Sequence, residues 1–377
     1  MAEMQVGFYG HVRQYHNLKA DLDKAISDVL ESGAYVLGPA LTRFEGELAS
    51  YFGTKHALGL NSGTDAIWLP LMALGIGPGD EVITASNTFF ATAEAIWIAG
   101  ATAVFVDSES KTNNIDPAKI EAAITPRTKA IIPVHLYGQC AEMDKIAAIA
   151  KKHGLYLIED CAQSIDAHGN GFKIGQYSDA VATSFIIQKN LGTFGDSGAV
   201  MTNRDDIATA VKRLRNHGSP KRSQHSYGFN SRMDDLHAGI LSVKLKHITA
   251  WSDRRREIAA MFDRGLAGVA NVLKLPYEIP GYRHVYHLYV VETLNGKRDS
   301  LLDFLSKEGV DAKCHYPIAI HQQEGYPWGK DARIVGSLMH SEWNAANCVS
   351  LPMFPELTQD EIDYTIAKTV EWCRSNG

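Results

Sequence analysis

Two short apolar runs in this chain deliver residues that can do chemistry. The run 155–159 is followed by Asp160, with Gln163 three residues on, and the run 180–186 carries Ser184 near its end and leads to Lys189 in the stretch QKNLG. Upstream, Asn61-Ser62-Gly63-Thr64-Asp65-Ala66 sits where a loop enters a helix, and Thr88-Phe89-Phe90 follows the run 81–84. In an open α/β sheet, ligands bind beyond the carboxyl ends of the strands, so polar residues just after an apolar run are the ones to inspect.

Each part has a defined use. A helix N-terminus presents free backbone N–H groups, and a glycine there lets an anion approach closely, so Gly63 and Thr64 form a candidate phosphate cradle. A buried carboxylate such as Asp160 needs a cation to face, and Lys189 can form a Schiff base if its surroundings lower its pKa. Phe89 can stack on a flat heterocycle. Together these are the requirements of pyridoxal 5′-phosphate, with Asp160 keeping the pyridine nitrogen protonated so that the ring acts as an electron sink. Taken singly, Asp160 reads as a strand-end cap, Lys189 as a surface lysine, Phe89 as core and 61–66 as an ordinary helix entry. Asp160 and Lys189 are 29 residues apart, about one strand–helix–strand step, and this joint order favours a shared site.

The elements that must position these residues read as α/β. Continuous apolar runs at 81–84, 102–106, 130–134, 155–159, 180–186 and 198–201 are expected strands covered on both faces. Helical stretches such as 88–98 and 142–153 separate them, which implies a mostly parallel sheet flanked by helices. An amphipathic helix is expected over 18–33, stopped by Gly33. A mostly helical, polar stretch covers 205–261, and a strand at 285–291 with helices at 301–308 and 359–374 suggests a smaller C-terminal α/β domain. The expected division is a large domain with the N-terminal segment over 1–250 and a small one over 251–377.

Composition narrows the class. The chain has 377 residues, 45% apolar and 21% charged, which excludes a disordered or fibrous protein. A net charge of −6 with no basic run argues against nucleic acid as a partner. The five cysteines form no Cys-x-x-Cys pair, so they read as reduced thiols. No leader-like start and no stretch of about 18 apolar residues is seen, and a cytoplasmic protein without a membrane anchor is expected.

Other motifs fail. Gly169, Gly171 and Gly175 have the wrong spacing and precede a strand, so a nicotinamide oxidoreductase fits the sheet but not the glycines. Residues 325–331, GYPWGKD, fall one residue short of a P-loop. His284 and His287 form an H-x-x-H without an acidic ligand nearby, and no metal site is expected.

With these residues in hand, the chain resembles the DegT/DnrJ/StrS sugar aminotransferases, pyridoxal-phosphate enzymes of fold type I. The resemblance runs almost end to end, through SGAYVLGP (32–39), NSGTDA (61–66), TFFATAEAI, IEDCAQS (158–164), SFIIQKNLGTFGDSGA (184–199), GFNSRMDDLHAGIL (228–241), CHYPIAIH (314–321) and LPMFPELT (351–358). It implies that Lys189 is the Schiff-base lysine and proton shuttle, that Asp160 pairs with the pyridine nitrogen and Gln163 with the ring hydroxyl, that Phe89 stacks on the ring, and that Gly63, Thr64 and Ser184 hold the phosphate. It also implies that Asn230 reaches the phosphate of a neighbouring subunit, making the active unit a homodimer. Arg232 is the candidate to fork onto the carboxylate of the donor, L-glutamate. The acceptor is expected to be a keto-sugar, usually nucleotide-linked, in a pocket drawing on the N-terminal segment and on His321. The dehydratases of this family replace the lysine with histidine, so Lys189 argues against that activity, and the intact set argues against a silent regulator. The chain departs from the pattern at Ile186-Ile187, where aromatic-Pro is usual, at His237 in place of Gln, and at Ala85-Ser86 where Pro is common. Pro70, inside the helix after the phosphate loop, is expected to kink it.

Overall fold

The computed structural model describes residues 4–220, 224–324 and 332–376; the near-P-loop at 325–331 lies outside the described residues. Eight strands form the central sheet, in the order His56–Leu60, Gly198–Thr202, Ala180–Ser184, Tyr156–Asp160, Thr128–Ile132, Glu81–Ala85, Thr102–Val106 and Ala332–Ile334. All neighbours pair in parallel except Gly198–Thr202, which runs antiparallel to both strands beside it. The sheet is thus mostly parallel, flanked by helices, as the continuous apolar runs imply.

Both faces of the sheet are buried, which is why its strands do not alternate. Ile83, Val104 and Ile131 pack into one apolar core, and their neighbours Val82, Phe105 and Ile132 into another on the opposite face. Helices arise where expected, with shifted ends. Helix His11–Ser32 begins seven residues earlier than its apolar stripe and stops at Gly33, whose φ of 64° suits glycine. Helix Met143–His153 stops the same way at Gly154. The helix expected from residue 88 begins at Ala91, after a hydrogen-bonded turn at Phe89 and Phe90, so Thr88 and Phe89 stand in the loop at the strand end. Helix Gly63–Ala73 contains Pro70 and continues to Ala73.

A smaller antiparallel sheet, Leu273–Lys274, Tyr289–Thr293 and Cys348–Leu351, packs with helices Ile248–Leu266, Arg298–Lys307 and Gln359–Asn376 around a separate core. Ile248 at one end of the first of these helices joins the large core, while Ile258 and Phe262 join the small one. Strand Ala332–Ile334 belongs to the large sheet and Val6 to the small core, so the two units are laced together.

Candidate active site

The strand Tyr156–Asp160 ends on two adjacent carboxylates that, by the alternation of strand side chains, point to opposite faces. Glu159 is spent on structure, receiving hydrogen bonds from the Gly175 amide and the Ser178 hydroxyl and pairing with the buried His135 at 2.7 Å. Asp160, 5% exposed, accepts from the Ala162 amide at 3.0 Å and from the Thr92 hydroxyl at 3.1 Å. Burial pushes its carboxyl above the usual range, opposed by the Ala162 amide, Lys189 and the Thr92 hydroxyl.

Lys189 lies on the neighbouring loop, where its amide closes a turn onto Ile186 at 2.9 Å. Burial lowers its amine to about 8, with Asp160 pulling the other way. The side chain borders a small cavity of about 40 Å³, lined on its far side by Phe8, Tyr9, His11, His287 and His315. His287 and His315 are both held neutral by burial and by the charge of Lys189.

Helix Gly63–Ala73 begins beside the end of strand Ala180–Ser184. The Ser62 hydroxyl caps it by accepting from the Asp65 amide at 3.1 Å, which leaves the first two amides, Gly63 and Thr64, without an intrahelical acceptor. A Cβ on Gly63 would stand 2.5 Å from the Ser184 Cβ, so only glycine lets these two elements approach. Phe89 is 53% exposed although it belongs to an apolar stretch, and its ring lies 5.4 Å from that of Tyr316. Gln163 accepts from the Tyr137 amide at 2.7 Å and donates to the Tyr316 hydroxyl at 3.0 Å. Lys189, Asp160, Gln163, Gly63, Ser184 and Phe89 therefore gather at one end of the sheet.

The remaining candidates stand apart. Asn230 is exposed and bridges to Asn216, while Arg232 donates to the Asn216 side chain at 2.8 Å and leaves its Nε buried without a partner. Both sit on a segment fastened to the first two turns of helix Gly63–Ala73 by the Ser231–Asp65 hydrogen bond and the Trp68–Phe229 ring contact. Neither lines the Lys189 cavity. His321 has both ring nitrogens engaged, with Ser86 at 2.7 Å and Glu342 at 3.0 Å. The departures are placed too: Ile187 borders the Lys189 cavity, His237 pairs with Thr193 at 2.9 Å, and Ser86 is the hydroxyl that holds His321.

Thr92, Tyr137 and Tyr316 were not singled out from the sequence. Thr92 lies in the first turn of helix Ala91–Ile98, and its hydroxyl is 3.4 Å from that of Thr88 in the preceding loop. The two tyrosines gave no signal, since they reach Gln163 only through the tertiary fold. The motifs set aside are structural: Gly169 and Gly171 build a short hairpin, His284 accepts from the Tyr286 amide, and His287 pairs with Asn190. Among the described residues no group of three or more His, Cys, Asp or Glu is arranged to hold a metal.

An amine with a lowered pKa, a buried carboxylate, an exposed ring, and a helix start that a single Cβ would fill are together fitted to pyridoxal phosphate. Comparison with known proteins agrees. The profile of the DegT/DnrJ/EryC1/StrS aminotransferase family matches residues 16–370. The chain is 44% identical to a pleiotropic regulatory protein of Geobacillus stearothermophilus, over 96% of both chains. It is 43% identical to the dTDP-3-amino-3,4,6-trideoxy-alpha-D-glucose transaminase of Streptomyces venezuelae, over 95% of this chain and 93% of that one. Among solved structures, S. venezuelae DesV superposes with a TM-score of 0.94 at 42% identity, covering 98% of each chain. Bacillus subtilis NtdA, solved with bound pyridoxamine phosphate, gives 0.90 at 32%, covering 98% of this chain and 85% of that one. The chain belongs to the DegT/DnrJ/EryC1/StrS aminotransferase family and is a pyridoxal-phosphate-dependent aminotransferase.

Proposed function

We propose that this aminotransferase moves the amino group of L-glutamate onto a nucleotide-linked keto-sugar and works as a cytoplasmic homodimer. The observation that carries the reading is Lys189, an amine lowered to about 8 that feels the charge of the buried Asp160 and borders a cavity. Pyridoxal phosphate supplies a carbonyl through which an amino group is exchanged and a ring that withdraws electrons. Lys189 would hold it through Nζ, and the same amine, with its lowered pKa, would serve as the base for the donor's α-proton. Asp160 keeps a proton on the pyridine nitrogen. Gly63, Thr64 and Ser184 would hold the phosphate, Phe89 would stack on the ring, and Gln163 would face the ring hydroxyl.

Asn230 and Arg232 serve the partner subunit's site: they lie on a surface segment where Tyr227 and Phe229 are exposed. There Asn230 reaches the phosphate and Arg232 forks onto the donor carboxylate. The keto-sugar enters past Phe8 and Tyr9, which line the Lys189 cavity, with His321 held by Ser86 and Glu342 as a further contact, and the nucleotide link follows the dTDP-sugar named in the Streptomyces relative. No described helix is long and apolar enough to cross a membrane, and the five free cysteines suit a reducing compartment.

The test is the visible spectrum of the cofactor-loaded protein before and after L-glutamate, with no sugar present. The expected result is loss of the yellow band with one 2-oxoglutarate released per site. An unchanged band removes L-glutamate as the donor.

A further inference from the structure

The five cysteines are scattered in sequence, yet two of them meet. The sulfurs of Cys314 and Cys348 lie 3.3 Å apart, both as free thiols, where the segment leading to Tyr316 runs beside strand Cys348–Leu351. That segment is already tied to the strand by the paired backbone hydrogen bonds of Lys313 and Ser350, at 3.1 and 2.7 Å. A disulfide requires the sulfurs to close to about 2.05 Å, an approach of roughly 1.3 Å, within reach of side-chain rotation.

The surroundings favour reaction at one of the two sulfurs. Cys314 is partly exposed, whereas Cys140, Cys161, Cys348 and Cys373 are buried. The Arg298 guanidinium stands 3.8 Å from the Cys314 sulfur. The hydrogen bond from Cys348 lowers the Cys314 thiol and Arg298 lowers it further, against the opposing effect of burial. Cys140 and Cys161, by contrast, are buried thiols pushed up by desolvation. A partly exposed thiol beside a cation, with a second sulfur in contact, is the arrangement of an attacking and a resolving cysteine.

We propose that Cys314 and Cys348 form an oxidation site that takes hydroperoxides and closes to an intrachain disulfide. The Cys314 thiolate attacks the peroxide, whose O–O bond breaks, leaving a sulfenic acid and releasing one water or alcohol. Cys348 then attacks the Cys314 sulfur, and the S–O bond breaks as the S–S bond forms. The Cys348 proton leaves with the hydroxide as water, so two thiols are oxidised by two electrons and one peroxide is reduced. The link lies two residues from Tyr316, the hydrogen-bond partner of Gln163, and next to His315 on the wall of the Lys189 cavity.

The experiment exposes the holoenzyme to hydrogen peroxide, quenches with catalase, counts thiols after denaturation, and maps unreduced peptides by mass. The expected result is a fall from five titratable thiols to three, with the loss of two hydrogen atoms per chain, one peptide joining Cys314 to Cys348, and full recovery with dithiothreitol. In Cys348→Ala, the same treatment should leave a sulfenic acid on Cys314 that dimedone traps, while Cys314→Ser should keep its four remaining thiols. The proposal is overturned if wild-type Cys348 stays free while Cys314 carries added oxygen. It is equally overturned if the thiols lost are Cys140, Cys161 or Cys373, or if all five survive peroxide that oxidises free glutathione.

Discussion

Two lysines in this molecule share a lowered pKa and differ in what their amines face. Burial brings Lys189, behind the end of the strand Ala180–Ser184, and Lys244, near the end of helix Asp235–Leu245, both down to about 8. Each has an acidic neighbour pulling the other way, Asp160 for the first and Glu356 for the second. Lys244, however, donates to the Gly192 carbonyl at 2.6 Å and lies 4.6 Å over the Phe194 ring. Lys189 borders a cavity, and Asp160 beside it is held by Thr92 and the Ala162 amide. Desolvation alone therefore does not tell the two amines apart; Lys189 alone borders a cavity, as the catalytic role proposed for it requires.

Removing each amine in turn separates the two roles. Lys189→Ala is expected to lower transamination by at least about 10⁴-fold, because covalent attachment and proton transfer are lost together, while the melting temperature stays near wild type. Lys244→Met should do the reverse. It leaves the Gly192 carbonyl unpaired at a cost of about 1–3 kcal/mol, lowers the melting temperature, and keeps the turnover within a few-fold. Steady-state rates and thermal melts of both variants decide the matter, and near-wild-type turnover of Lys189→Ala would sink the mechanism.

The adjacent carboxylates Glu159 and Asp160 give the same contrast one step smaller. Asp160→Ala is expected to reduce turnover by about 10²–10³-fold, since a neutral pyridine nitrogen is a poor electron sink. Glu159→Gln breaks the bonding set around His135, Gly175 and Ser178, and its expected effect is on stability, about 1–3 kcal/mol in denaturant unfolding, with activity largely kept. An unchanged rate in Asp160→Ala would take that residue out of its role.

What the sequence revealed of this site follows from how short-range its signals are. Asp160, Ser184 and Lys189 stand at the ends of apolar runs, and Gly63 stands at a helix start, so pattern and spacing found them. The strand His56–Leu60 was missed because five residues that include a glycine give little strand signal, and its neighbour Gly198–Thr202 shows its reversal only through pairing. Thr92 supports Asp160 across 68 residues and Tyr316 meets Gln163 across 153, distances at which no local pattern speaks. The meeting of Cys314 with Cys348 is equally invisible, since both lie in segments whose approach is set by the small sheet. His321 was read as a substrate contact, and its ties to Ser86 and Glu342 emerged only with the fold, joining it to a position where the chain departs from its family.

The lysine comparison also has a titration of its own. In cofactor-free protein, trace labelling with an amine-reactive reagent across pH 6–11 reports the neutral fraction of each accessible lysine. For an ordinary lysine near 10.5 the neutral form at pH 8 is about 1 in 300, and for Lys189 it is about half. Labelling of Lys189 should therefore rise about tenfold per pH unit below 8 and level off above it, while surface lysines keep rising towards 10.5. Lys244 should label slowly at every pH, because it is buried. The sign of the Asp160 contribution is testable in the same experiment. The carboxylate favours the charged amine, so Asp160→Asn should move the Lys189 midpoint further down, whereas a midpoint that stays in place would mean that Asp160 holds a proton beside Lys189 and does not act on it as a charge.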